Sequence, residues 1–233
     1  MSDASGRLER IALALDTSDW SQFGSWCATL GPRVGVLKIG LEAFVRWGSE
    51  AVRAARASGA RIFLDLKLHD IPNTVAGATA AARDLGVDLI TIHASGGRAM
   101  IEAAVKQAGE MKILAVTLLT HLDRAATAEL GLPGAAADRV LRWASLARQA
   151  GASGVVCSPL EAARLRVENP RPFLLVTPGI RSAGDSAGDQ RRTSGPRDAL
   201  AAGSDLLVIG RPITRAPDPL AALGALAKDL EEA

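Results

Sequence analysis

The segment Asp65-Leu66-Lys67-Leu68-His69-Asp70 sets acids and a base close together. Asp65 and Lys67 are two residues apart, so a strand points both to one side and leaves Leu66 and Leu68 on the other. Lys38 closes an earlier aliphatic run and can lie beside Asp65 if the two runs are neighbouring strands. The expected result is an alternating row, Lys38, Asp65, Lys67, with Asp70 in the loop beyond. Opposite charges keep a lysine in its charged form, so the row can present a fixed ammonium to a bound molecule. Buried charges are costly unless paired, and perturbed ionisable groups gather at functional sites. The row is read as a catalytic centre; the plainer alternative is a structural ion-pair network.

A second signal lies near the other end of the chain. Pro178-Gly179-Ile180-Arg181 and Gly210-Arg211-Pro212 each join glycine to arginine. Glycine lets backbone N–H groups approach an anion, and arginine supplies a charged fork. The stretch between them, residues 181–195, is rich in Gly, Ser, Asp and Arg. A loop of that length in a compact fold is functional or disordered. We read it as a loop that closes on a phosphate, using Gln190 or Arg191, against the alternative of a solvated surface loop.

The elements that must position these residues alternate along the chain. Strand-like runs fall at Ile11–Leu15, Val34–Ile39, Ile62–Leu66, Leu89–His93, Ile113–Leu118, Gly154–Cys157, Phe173–Val176 and Leu206–Ile209. Helical apolar spacing marks Glu42–Ser58, Thr74–Leu85, Arg98–Ala108, Ala136–Ala150, Leu160–Val167, Asp198–Ala202 and Leu220–Leu230. Gly59, Gly86, Gly109, Gly151 and Gly203 follow several of these, as expected just past a helix end. Eight strands with interposed helices are the arithmetic of an α/β fold of the (β/α)8 TIM-barrel type, here one domain over residues 1–233. A doubly wound open sheet is the alternative, but it would usually carry a Gly-rich turn after the first strand. Here that strand runs into Asp16-Thr17-Ser18. In a barrel the site lies at the C-terminal strand ends. Those ends carry Asp16, Lys38, Asp65 with Lys67, His93, Thr120, Arg181, and Gly210 with Arg211.

Composition narrows the function classes. The chain has 233 residues, 48% apolar and 22% charged, with a net charge of +2. The near balance argues against a dedicated nucleic-acid binder, and the absence of Tyr with only 3% aromatics leaves little for base stacking. No apolar run approaches a bilayer span, and the polar start lacks a signal-peptide core. Two distant cysteines, Cys27 and Cys157, make no disulfide framework, so a reducing cytoplasm is expected. No zinc-type ligand spacing is present, and no Ser–His–Asp arrangement is visible. His93 is read as a hydrogen-bonded rim residue, and His69 as part of the strand-three turn. Cys157 is read as a small buried group. Trp20, Trp26, Trp47 and Trp143 are expected to pack helices onto the barrel.

Asp65-Leu66-Lys67-Leu68-His69-Asp70-Ile71-Pro72-Asn73-Thr74 resembles the signature of the orotidine 5′-phosphate decarboxylases, most closely their bacterial branch. The resemblance extends to Ala14-Leu15-Asp16, Leu37-Lys38-Ile39-Gly40, Gly154–Ser158, Val176–Arg181, Ala187–Arg192 and Val208–Pro212. It implies a cofactor-free, metal-free homodimer of barrels that converts orotidine 5′-phosphate to UMP and carbon dioxide, the last step of de novo UMP synthesis. Carried over by residue, Lys67 is the proton donor to pyrimidine C6 and Asp65 lies against the substrate carboxylate. Lys38 and Asp70 complete the charged network, Asp70 coming from the partner subunit. Asp16 and Lys38 bind ribose hydroxyls, and Thr74 does so across the dimer interface. Ile71 lines the pocket near the pyrimidine, and Thr120 contacts the base or its loop. Arg181, Gln190, Gly210 and Arg211 hold the phosphate. One departure stands out: His121 occupies a place where relatives commonly carry Ser.

Two rivals remain at this level. Metal-dependent sugar-phosphate enzymes of the same barrel superfamily share an Asp-x-Lys-x-x-Asp pattern, but they place an acid where strand two here ends in Lys38. A charged lysine repels a metal and cannot ligate it. The other rival is a non-catalytic nucleotide-binding barrel, because fold alone never proves function.

Overall fold

The computed structural model describes residues 8–132, 134–181 and 194–231. Eight parallel strands close into a barrel in chain order: β1 (Ile11–Ala14), β2 (Val36–Gly40), β3 (Arg61–Leu68), β4 (Leu89–His93), β5 (Lys112–Val116), β6 (Gly154–Val156), β7 (Leu174–Thr177) and β8 (Leu206–Ile209). Pairing of Leu13 with Leu37 on one side and with Ile209 on the other closes the ring through β1. The expected architecture is the one observed, and the doubly wound alternative is not.

The strands are apolar on both faces because both are covered. Ala12, Val36, Phe63, Leu89, Leu114, Val176 and Leu206 form one cluster, the plug inside the barrel. Ile11, Leu13, Leu37, Ile39, Ile62, Leu64, Ile90 and Ile92 belong to a second, larger cluster that joins the strands to the surrounding helices. Leu66 and Leu68 pack against that outer layer, as alternation required.

Three local features differ from the sequence reading. A helix at Trp20–Thr29 follows β1, started by Asp19, whose carboxylate accepts the N–H groups of Ser21 and Gln22. Its apolar positions Phe23, Trp26 and Cys27 are buried. Trp20 does not pack on the barrel; it is 42% exposed and stacks on Phe23, with ring centroids 5.6 Å apart. The single helix expected over Glu42–Ser58 is two, Leu41–Trp47 and Ser49–Arg56, because Gly48 between them takes φ 54°, a value helical backbone cannot hold. Trp26 is buried, and Trp47 and Trp143 pack partly buried against the core as expected, while Cys157 is fully covered.

The N-terminal face of the barrel is latched by ion pairs. Asp205, just before β8, accepts the Leu175 N–H of β7 at 2.8 Å and the Arg171 Nε at 2.9 Å. Arg166 pairs with the same carboxylate and also donates to the carbonyls of Gly203, Asn169 and Phe173. A matching arrangement sits four strands away. Asp88, just before β4, accepts the Ile62 N–H of β3 at 2.7 Å, and Arg56 donates to the Gly86 carbonyl.

Removing one partner of a largely covered ion pair strands the other. Asp205→Ala is expected to lower the unfolding free energy by about 3 kcal/mol, measured by urea titration. A change within about 0.5 kcal/mol, typical of an ordinary surface substitution, would contradict the latch.

Candidate active site

The C-terminal strand ends bring four charges into a line. Lys38 Nζ, on β2, lies 3.5 Å from Asp16 Oδ1 just past β1 and 3.7 Å from Asp65 Oδ2 on β3. Lys67 Nζ donates to Asp65 Oδ1 at 2.9 Å. The order across the mouth is therefore Asp16, Lys38, Asp65, Lys67. Lys38 is buried and Asp65 nearly so, whereas Lys67 keeps part of its side chain open to the cavity. Burial by itself would raise the Asp65 pKa. The ammonium groups of Lys38 and Lys67, with hydrogen bonds from Lys67 and Thr91, outweigh it and hold the carboxyl below its usual range.

Simple strand alternation does not explain how Lys67 meets Asp65. The β3–β4 register shifts between Leu64 and Leu68, and Lys67 has φ 53°, the left-handed region that a side chain rarely occupies. Such bulges re-aim side chains next to active sites. Here the bulge turns the lysine over the end of the strand. Thr91 of β4, wholly buried, accepts the Lys67 backbone N–H at 2.9 Å and donates to Asp65 Oδ1 at 2.9 Å. The sequence reading passed over Thr91; its signal is a single hydroxyl within the run Leu89-Ile90-Thr91-Ile92.

Gly40 is the second residue that reading left without a role. A Cβ there would sit 2.7 Å from Asp16 Oδ1 and 3.1 Å from Lys38 Nζ. The bare backbone is what lets the Asp16–Lys38 pair come together. His93 is half-buried at the end of β4, with its ring 5.2 Å from that of His69. Burial, then the neighbouring His69 and Lys67, lowers the His93 pKa, against an opposing pull from Asp65.

A cavity of about 620 Å³ opens over this row. Asp16, Lys38, Asp65 and Lys67 line it together with Arg181, Gly210 and Arg211 after β7 and β8. Thr120 and His121 line it from the connection after β5, and Phe63, Val156 and Val208 are apolar lining shared with the barrel plug. Arg181 is held by its own backbone: its N–H donates to the Ser194 carbonyl at 3.0 Å, and Ser194 N–H donates to Gly179. Gln190 and Arg191 lie outside the described residues, as does most of the 181–195 loop.

Three expected site residues are not in this cavity. Asp70 is exposed, and its carboxylate accepts the Ile71 N–H at 2.6 Å instead of extending the charged row. Ile71, expected to line the pocket, is 67% exposed. Thr74 is exposed in the first turn of the Pro72–Asp84 helix. All three follow β3, in the exposed connection and the first turn of the next helix, and none lines the cavity. Among the described residues, no group of three or more His, Cys, Asp or Glu side chains could hold a metal ion.

Residues 9–226 match the family described as Orotidine 5'-phosphate decarboxylase / HUMPS family. The chain belongs to this family. It is 53% identical over 225 residues to an orotidine 5'-phosphate decarboxylase of Thermobifida fusca (strain YX), covering 95% of this chain and 96% of that protein. It is 50% identical over 224 residues to the enzyme of the same name from Anaeromyxobacter sp. (strain K), covering 95% and 98%. Its fold superposes on the crystal structure of orotidine 5'-phosphate decarboxylase from Lactobacillus acidophilus with a TM-score of 0.82 at 37% identity, over 94% of this chain and 97% of that one.

The depressed Asp65 pKa has a consequence for stability. Its ionised form contributes stability that is complete above about pH 4, the ordinary aspartate value, and fades as pH falls toward the lower folded value. Asp65→Asn is expected to be less stable than the native chain by about 2 kcal/mol at neutral pH. That gap should narrow below about pH 4. Urea titrations at both ends of the range check it; a gap independent of pH would contradict the assignment.

Proposed function

We propose that this chain is an orotidine 5′-phosphate decarboxylase, releasing carbon dioxide from its substrate to give UMP, the last step of UMP biosynthesis. The observation that carries the reading is the Asp16–Lys38–Asp65–Lys67 row facing one cavity with Arg181 and Arg211. The names of the relatives at half identity over nearly the full chain support it.

Loss of carbon dioxide from C6 leaves an electron pair in the plane of the pyrimidine, where the π-system cannot delocalise it. The protein must then supply the field. Lys67, held against Asp65, puts an ammonium beside C6 and then gives it a proton. Asp65 lies against the substrate carboxylate, so like charges oppose each other in the ground state and part as the bond breaks. Asp16 and Lys38 hold ribose hydroxyls, and Thr120 contacts the base or its loop. Arg181, Gly210 and Arg211 take the phosphate, with Gln190 from the adjoining loop. The phosphate is remote from C6, so its binding energy organises the site as well as retaining the substrate. Lys38 stands between two carboxylates that could otherwise share a divalent cation, which favours metal-free chemistry.

The exposure of Asp70, Ile71 and Thr74 side by side supports a homodimer in which these residues reach the partner's cavity. Asp70 then closes the charged row from across the interface, Thr74 adds a ribose contact and Ile71 lies near the pyrimidine. The chain from residue 1 to 233 is read as one domain. No helix among the described residues is long and apolar enough to cross a membrane, and a cytoplasmic location fits that.

Purified protein in excess chelator is expected to consume orotidine 5′-phosphate, followed by loss of ultraviolet absorbance, with UMP as product. Lys67→Ala should fold and lose at least about a thousandfold in kcat. Silence with chelator that magnesium reverses would favour a metal-dependent relative, and tight UMP binding without turnover would favour a binding protein. Mixing inactive Lys67→Ala and Asp70→Ala chains is expected to recover activity, because one of the two shared sites in a mixed dimer is intact. Additive inactivity after subunit exchange would refute the shared site.

A further inference from the structure

Lys67 poses a problem that its ion pair does not solve. Its backbone is in the left-handed region without the licence of a glycine, inside an irregularity of the β3–β4 pairing. A conformation of that kind persists only where the surroundings over-determine it. The residue that does so is on the next strand. The Lys67 N–H is an obligate donor, and it points at Thr91 Oγ1 from 2.9 Å. The Thr91 hydroxyl must therefore accept there and spend its own proton elsewhere. The acceptor in reach is Asp65 Oδ1, at 2.9 Å. That same oxygen receives the Lys67 ammonium at 2.9 Å. The contacts form a closed ring: Lys67 N–H to Thr91, Thr91 O–H to Asp65, and Lys67 Nζ back to Asp65.

We propose that Thr91 is a positioning residue, whose hydroxyl fixes the Lys67 ammonium by holding both the lysine backbone and the carboxylate that receives its side chain. The assignment rests on the functional reading above. Thr91 does not line the cavity and reaches the chemistry only through these two neighbours. The rest of its strand gives it no other polar task, since Ile90 and Ile92 pack outward among the helices. An ammonium displaced by about 1 Å from the reacting carbon loses on the order of a hundredfold in rate. The proposed phosphate anchors Arg181 and Arg211 follow β7 and β8, whereas Thr91 is on β4.

The test compares Thr91→Val, which keeps the shape and removes donor and acceptor, with Thr91→Ser, which keeps the hydroxyl. Thr91→Val is expected to lose about 10- to 100-fold in kcat with KM within about threefold of the native value. Thr91→Ser should stay within about threefold in both. Thr91→Ala replaces the valine variant if that one does not fold. Native kcat in the valine or alanine variant, or a serine variant as impaired as either, overturns the proposal. Crystal structures of the native chain and the variant give a second readout that does not depend on the substrate. Lys67 should leave the left-handed region, or its Nζ should leave Asp65; unchanged Lys67 geometry overturns the proposal. Failure of the native chain to turn over orotidine 5′-phosphate would instead count against the functional reading, and the crystallographic comparison would still decide the role of Thr91.

Discussion

A single carboxylate organises the site. Asp65 sits between two ammonium groups in a largely buried position, where a lone charge of either sign would be untenable. Each lysine needs the acid, and the acid needs both lysines to stay ionised against its burial. The three groups are on adjacent strands, so the arrangement exists only if β2 and β3 are paired in the observed register, with Gly40 opposite Asp65. Charge compensation in the mouth and strand order in the barrel are the same constraint seen at two scales.

The closed barrel meets that constraint by separating its tasks. The plug of Phe63, Val176, Leu206 and their neighbours seals the interior below the cavity. The latches of Asp88 and Asp205 secure the opposite face, away from the charged row. The C-terminal rim is left to carry groups chosen for chemistry rather than packing: a buried lysine, a residue in left-handed backbone, and a glycine retained for the space it leaves.

Much of this was legible in the sequence, for a physical reason. Parallel strands covered on both faces are nearly continuous aliphatic runs, so their ends stand out wherever a charge interrupts them. Asp16, Lys38, Asp65 and Arg211 were found that way, and all line the cavity. Lys67 lines the cavity as well, but alternation says nothing of the register shift at which it sits. Asp70, Ile71 and Thr74 were legible only as a motif; spacing along one chain cannot say that a segment faces outward. Thr91 and Gly40 were missed because their roles are relations between strands, one a shared hydrogen bond and the other an empty volume. The helix after β1 could have been found from Asp19 and the spacing of Phe23, Trp26 and Cys27, although its exposed Trp20 blurs the pattern.

The paired latches on the N-terminal face also bear on how the chain reaches this state. Arg56 and Gly86 are 30 residues apart, and Arg166 and Gly203 are 37 apart. Each latch ties a helix to the start of the second strand after it, one within β1–β4 and the other within β5–β8. The final closure, by contrast, joins β1 to β8 across nearly the whole chain. Loop-closure entropy rises with the length enclosed, so either half can consolidate around its own latch before the ring closes. The pairing that encloses the most chain, β1 with β8, is also the one that closes the ring.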